Sequence, residues 1–178
     1  MILRLSQKLN ARIKGGMLSA LPLHENPFLD WSAQAFAVER AEYVLVSNTR
    51  SLFSMVLADV VFADTARFTE RVLGVIRAAL EGAGHGATDR PTAPAVEPVR
   101  LAKSLDRSVT GSMNELIAHA TALLADGDSS VTAVGVRLND VLLSALARGG
   151  SVAYGKPQDA FAELVATRND DRPSSEWS

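Results

Sequence analysis

The pattern of apolar and polar positions changes period several times along this chain, and each change predicts an element. Residues 1–5 alternate over a short run and predict a strand. Ser6 stands where a helix N-cap belongs. Leu5, Leu9 and Ile13 then recur on one side of a helix running to about Lys14, and Gly15-Gly16 stops it. Residues 21–27 hold turn-forming residues, with Pro22 and Pro27 near the ends, and predict a loop. Residues 31–57 read as a β-meander. Within it 33–38 and 43–47 are strand-like, Glu39-Arg40-Ala41-Glu42 turns between them, and Asn48-Thr49-Arg50 makes a second turn. Residues 52–57 are β-rich, although so short an apolar run also fits a helix.

Asp64 or Thr65 opens the clearest helix. Phe68, Val72, Leu73, Ile76, Ala79 and Leu80 keep helical spacing, and Gly82 ends it. Residues 84–98 hold three prolines among Ala, Gly and Thr and predict an exposed, mobile loop. Residues 99–104 predict a strand. A helix from about Ser112 to Ala125 follows, with Met113, Leu116, Ile117, Ala120, Leu123 and Leu124 on one apolar face. Residues 134–138 and 141–146 are read as two strands joined at Asn139-Asp140, with one helix as the alternative. Pro157 suits the first position of a last helix, with Phe161, Leu164 and Val165 facing inward. Residues 169–178 are charged, hold a proline and lack periodicity, which predicts a disordered tail.

A meander followed by helices, rather than strict β-α alternation, predicts an α+β fold: an antiparallel β-meander packed with about four helices, in one domain over residues 1–168. A chain of 178 residues, 47% hydrophobic, can bury a real core. The absence of cysteine excludes disulfides, thiolate zinc sites, iron–sulfur clusters and cysteine nucleophiles. A formal net charge of -2 gives no bulk electrostatic reason to coat nucleic acid or an anionic membrane. The N-terminus lacks the long apolar run of a signal peptide, and no stretch approaches the ~18 apolar residues of a membrane helix. The expectation is a cytoplasmic protein without membrane attachment.

Candidate chemistry concentrates in Asp106-Arg107-Ser108-Val109-Thr110-Gly111-Ser112-Met113-Asn114-Glu115. This polar stretch runs into a helix start, where free N–H groups and the helix dipole favour an anion. Lys103, Arg107, Thr110, Ser112 and Asn114 are therefore the candidate ligand-binding residues, with Arg107 and Lys103 closing over a phosphate or carboxylate. The Ser112-Met113-Asn114-Glu115 spacing is also that of a capping box, in which Ser112 only closes the helix end. The two roles conflict, because Glu115 folded back would repel an anion.

Catalysis has thinner support. Gly111-Ser112 lacks the second glycine of a nucleophile elbow, and His119 stands seven residues on, roughly 10 Å along a helix. Glu115 and His119 are four apart, can touch, and are the candidate catalytic pair. His24 and His85 fall in predicted loops. No metal-ligand spacing appears, and Gly82-Ala83-Gly84-His85-Gly86 follows a helix rather than a strand, so no metal or cofactor is implied. One further pattern recurs: Leu3-Arg4-Leu5, Val99-Arg100-Leu101 and Val136-Arg137-Leu138. Were all of these strands of one sheet, Arg4, Arg100 and Arg137 would line one face, either as an anion- or nucleic-acid-binding surface or as its solvated side.

Several stretches taken together resemble a bacterial family of short single-domain proteins whose domain has no known function. They are Leu3-Arg4-Leu5-Ser6-Gln7-Lys8-Leu9, Ser47-Asn48-Thr49-Arg50-Ser51-Leu52, Arg107-Ser108-Val109-Thr110-Gly111-Ser112-Met113-Asn114, Leu138-Asn139-Asp140 and Tyr154-Gly155-Lys156-Pro157. The resemblance covers nearly the whole chain and implies a single domain. It implies no activity and carries over no catalytic residue.

Three functions compete on this sequence. The first is a binding module for an anionic ligand, either a phosphate-containing small molecule or nucleic acid. The second is a metal-independent hydrolase or transferase using His119, Glu115 and a serine. The third is a protein-interaction domain without a small-molecule site.

Overall fold

The computed structural model describes residues 1–82, 98–105, 107–127, 129–147 and 153–170. The expectations for the loop at 84–97, for Asp106 and for the tail beyond 170 lie outside them. The strands are β1 (Ile2–Leu5), β2 (Asp30–Val38), β3 (Ala41–Asn48), β4 (Ser54–Leu57) and β5 (Arg100–Lys103). The helices are α1 (Gln7–Ile13), α2 (Thr65–Gly82), α3 (Arg107–Ala125), α4 (Val131–Leu138) and α5 (Pro157–Asp170). The fold is α+β, with five α-helices among the described residues where about four were expected.

The strands form one sheet in the order β4-β3-β2-β1-β5. β2, β3 and β4 make the expected meander, with antiparallel pairing from Val38↔Ala41 to Ser47↔Ser54. The sheet as a whole is mixed rather than an antiparallel meander alone, because β1 pairs parallel with both β2 and β5. Those pairings join segments far apart in sequence, so no turn chemistry announces them.

Helices cover both faces. Leu3, Leu5, Trp31, Ala33, Val44, Val46 and Leu57 point to one side, where they pack with Leu9 and Ile13 of α1, Phe68, Val72, Ile76 and Leu80 of α2, and Phe161 of α5. Phe36, Val38, Leu45 and Val56 point to the other, against Met113, Leu116 and Ala120 of α3 and Val134 and Leu138 of α4. The helix ends are set locally. The Ser6 hydroxyl accepts from the Leu9 N–H at 3.3 Å, and Lys14 closes α1 with φ 57. Asp64 caps α2, its carboxylate accepting from the N–H groups of Ala66 and Arg67.

Two expectations are corrected. Residues 134–138 are helical, not a strand: Ser130 caps α4 through the Ala133 N–H at 3.2 Å, and Val134 and Leu138 meet the core at helical spacing. Burial of one face overrides the β-preference of its valines. Residues 141–146 supply only a single bridge, Leu143 to Gly155, and a 3-10 turn at Ser144–Leu146. The helix after β5 also begins at Arg107 rather than Ser112, because Val109, four residues before Met113, extends the apolar face backwards into the second cluster.

Candidate functional site

β1 and β5 lie side by side, with Leu5 opposite Lys103. The chain leaves β1 into α1, which packs on one face, and leaves β5 towards α3, which packs on the other. Where neighbouring parallel strands diverge in this way, a crevice opens beyond their carboxyl ends, the usual ligand position in open sheets of this kind. A cavity of about 480 Å³ lies there. Leu5, Ala11 and Leu18 supply its apolar wall, and Gln7, Asn10, Lys103 and Ser104 its polar groups.

The backbone around this cleft is fixed. The Ser104 hydroxyl donates to the Leu5 carbonyl at 3.0 Å, and the Lys103 N–H donates to the Ser19 carbonyl at 2.9 Å. The Asn10 Nδ2 donates to the Gly16 carbonyl at 2.8 Å. Its Oδ1 is the one buried side-chain polar atom, among the described residues, that has no hydrogen-bond partner. A Cβ at position 15 would stand 2.2 Å from that oxygen, so a larger residue than glycine there requires the Asn10 side chain to shift. Lys103 is exposed and joins none of the described ion pairs, and no carboxylate of the described residues lines the cavity.

The other predicted residues are distributed along α3. Arg107 opens the helix and is exposed. It stands three Cα–Cα steps after Ser104, so its Cα lies within about 11 Å of that cleft residue. Thr110 is in the first turns, half-buried. Ser112 is not an N-cap: it is buried inside α3, and its hydroxyl donates back to the Ser108 carbonyl at 3.1 Å. Asn114 accepts a 2.6 Å hydrogen bond from Gln34 of β2. Glu115 and His119 are both exposed, whereas Ser112 is buried, so the helix does not bring this serine to that histidine. No cluster of three or more His, Asp or Glu suited to a metal exists among the described residues.

The three-arginine surface does not form. Arg4 and Arg100 share a side of the sheet, but Arg4 is fully buried, and Arg137 lies on α4 rather than on a strand. The Arg4 guanidinium grips Asp30 through Nε to Oδ1 and Nη2 to Oδ2, each at 2.8 Å. It also donates to the carbonyls of Leu21 and Pro22, at 2.9 and 2.8 Å, which ties residues 21–22 to the sheet.

The remaining polar stretches are likewise structural. Asn48 Oδ1 accepts from the Arg50 and Ser51 N–H groups, closing the turn after β3. The Asn139 side chain reads the edge of β4 as a neighbouring strand would: its Oδ1 accepts from the Ser54 N–H at 2.7 Å, and its Nδ2 donates to the Ser54 carbonyl at 3.0 Å. Lys156 reaches Asp140 at 3.0 Å, and this hydrogen bond, with the carboxylate charge, holds the lysine above its ordinary pKa. Between α2 and α4 a second cavity, of about 350 Å³, is walled mainly by apolar groups, including Val75, Val131 and Met55.

The family model described as a domain of unknown function, DUF6933, matches residues 2–160. The chain belongs to the DUF6933 family. The match spans every strand of the sheet and the start of α5, so the cleft between β1 and β5 lies wholly within the family's domain. No curated protein matches the chain. No helix among its described residues is long and apolar enough to cross a membrane.

Sequence reasoning singled out Lys103 and Arg107 but missed Gln7, Asn10 and Ser104. Their one local signal is that Leu5-Ser6-Gln7 and Ala102-Lys103-Ser104 are both strand ends running into polar residues. Nothing local shows that the two ends are neighbours.

Proposed function

We propose that this chain is a cytoplasmic binding module for a compact anionic ligand, such as a phosphate-containing small molecule or the backbone of a nucleic acid. The ligand sits at the carboxyl ends of β1 and β5. The observation that carries this reading is the divergence of α1 and α3 from adjacent parallel strands around a cavity whose only charged lining residue, among the described residues, is the exposed Lys103. Arg107 stands within reach of the mouth and adds a second positive charge, and Thr110 lies in the same turns of α3. Ser112 and Asn114 bond within the fold and contribute through it. Little ordering is needed on binding, because the backbone on either side of the cleft is already hydrogen-bonded.

The test is calorimetric titration of inorganic phosphate, nucleotides and short oligonucleotides into the wild-type chain, Lys103→Ala and Arg107→Ala. The expected outcome is binding that weakens in both variants and falls with added salt. Equal binding by wild type and both variants would place the site elsewhere and defeat the reading. Tight binding of oligonucleotides but not of phosphate or nucleotides would select nucleic acid as the partner.

A further inference from the structure

We infer that the second cavity, between α2, β4 and α4, is a binding site for a small uncharged apolar group, an aromatic ring or a short hydrocarbon chain. β4 is an edge strand of the sheet. α2 packs on one face of the sheet and α4 on the other, and the cavity of about 350 Å³ lies where the two layers meet round that edge. Small residues open it: Ala78 and Ala79 stand on the α2 side and Gly135 on the α4 side. Gly135 rests on the strand itself, since a Cβ there would stand 3.6 Å from the Met55 Cα.

The lining sets the ligand class. Met55, Val56, Val75 and Val131 give apolar walls, and no lining residue among those described is charged. The polar side chains of the lining make no demand on a ligand. The Ser54 hydroxyl donates to the Leu52 carbonyl, and both ends of the Asn139 amide are bonded within the fold. Thr132 is exposed, so water serves its hydroxyl. A charged ligand would lose hydration here with nothing to replace it, whereas an apolar one has none to lose. The site is also open to solvent. Val136, which lines it, is 64% exposed, an apolar side chain left at the rim. A bound hydrocarbon would cover it and gain from the area removed from water. An apolar cavity of roughly 150 Å³ holds one benzene ring, so this one accommodates a substituted or fused ring. It shares no lining residue with the β1/β5 cleft among the described residues, so it stands whether or not that cleft binds an anion.

The experiment is a methyl-detected NMR titration of toluene and benzoate, probes of similar size that differ in charge, into the wild-type chain and Ala79→Leu. Toluene is expected to shift the methyl signals of Met55, Val75, Val131 and Val136 in wild type, and to bind there at least about tenfold tighter than benzoate. Ala79→Leu adds bulk at the cavity wall and is expected to weaken toluene binding at least about tenfold. No toluene shifts in wild type, shifts confined to other methyls, or benzoate acting on the same methyls as tightly as toluene each overturn the inference. So does undiminished toluene binding by a folded Ala79→Leu. Broadening of these methyl signals with protein concentration, without a response to toluene, would assign the opening to a second copy of the chain and overturn it too. The comparison of toluene with benzoate is made on wild type, so it decides the matter even if Ala79→Leu does not fold.

Discussion

Replacing Arg4 by methionine tests the account of the sheet's buried charge. Arg4 and Asp30 are both fully buried and meet through two hydrogen bonds of 2.8 Å. Methionine keeps the length and apolar stem of the side chain but removes every donor. Asp30 would keep the His24 N–H, at 2.8 Å, among the partners described here, and the Leu21 and Pro22 carbonyls would lose theirs. Stranding one partner of a buried pair costs about 3–5 kcal/mol, a large part of the ~5–15 kcal/mol that holds a typical domain together. The double variant Arg4→Met/Asp30→Leu strands no charge, so it should lose clearly less than Arg4→Met alone. Urea unfolding with linear extrapolation measures both, with an unchanged denaturant slope as the check on two-state behaviour. High salt should leave the difference in place, because a buried pair is little screened. A loss below about 1 kcal/mol for Arg4→Met, or a double variant that loses the sum of the two singles, would refute the argument.

The remaining predictions concern the helix ends, the sheet edge and an exposed carboxylate. Ser112→Ala should change stability by less than about 0.5 kcal/mol, since the serine is mid-helix with its hydroxyl turned back on Ser108; thermal unfolding showing a loss near 1 kcal/mol would restore it as a cap. Asn139→Ala should cost about 2–4 kcal/mol, because it leaves the Ser54 N–H and carbonyl unpaired, and the Ser54 amide should lose hydrogen-exchange protection; retained protection would count against the edge role. The Glu42 carboxyl is held below its ordinary pKa, first by its hydrogen bond from Arg12. Its contribution to stability is therefore present above the unfolded-state pKa and is lost as pH falls through the lower folded value. Carboxyl NMR titration should show Arg12→Ala returning Glu42 to the usual glutamate range, and an unmoved titration would contradict the pairing.

Much of the fold was legible because local signals and tertiary packing agree there. Ser6 caps α1, Pro157 opens α5, and the hairpin turns between Val38 and Ala41 within the expected 39–42 stretch. The misreadings have a common cause. In α4 the valines favour a strand locally, but the Ser130 cap and the packing of Val134 and Leu138 decide for helix. In α3 the Ser112-x-x-Glu115 spacing suggests a start, but Val109 adds an earlier anchor to the apolar face, which carries the helix through Gly111 and puts Ser112 inside it. A capping box is a local rule, and a further apolar contact outweighs it.

The cleft was legible only in part, for a reason that belongs to parallel sheets. Two antiparallel neighbours are joined by a turn that sequence can reveal, whereas β1 and β5 are joined through the whole of the meander and α2. The charge at Lys103 could be noticed, but the place of Asn10 at the same cavity could not, because it depends on which strands the fold sets side by side. Arg4 illustrates the converse. Its alternation with Leu3 and Leu5 suggested a solvated or ligand-facing side chain, yet it is fully buried and Asp30 and the backbone of residues 21–22 take four of its five donors. A basic residue marks a binding site only when the fold leaves its charge unmatched. By that criterion Lys103, which pairs with no carboxylate among the described residues, qualifies, and Arg4 does not.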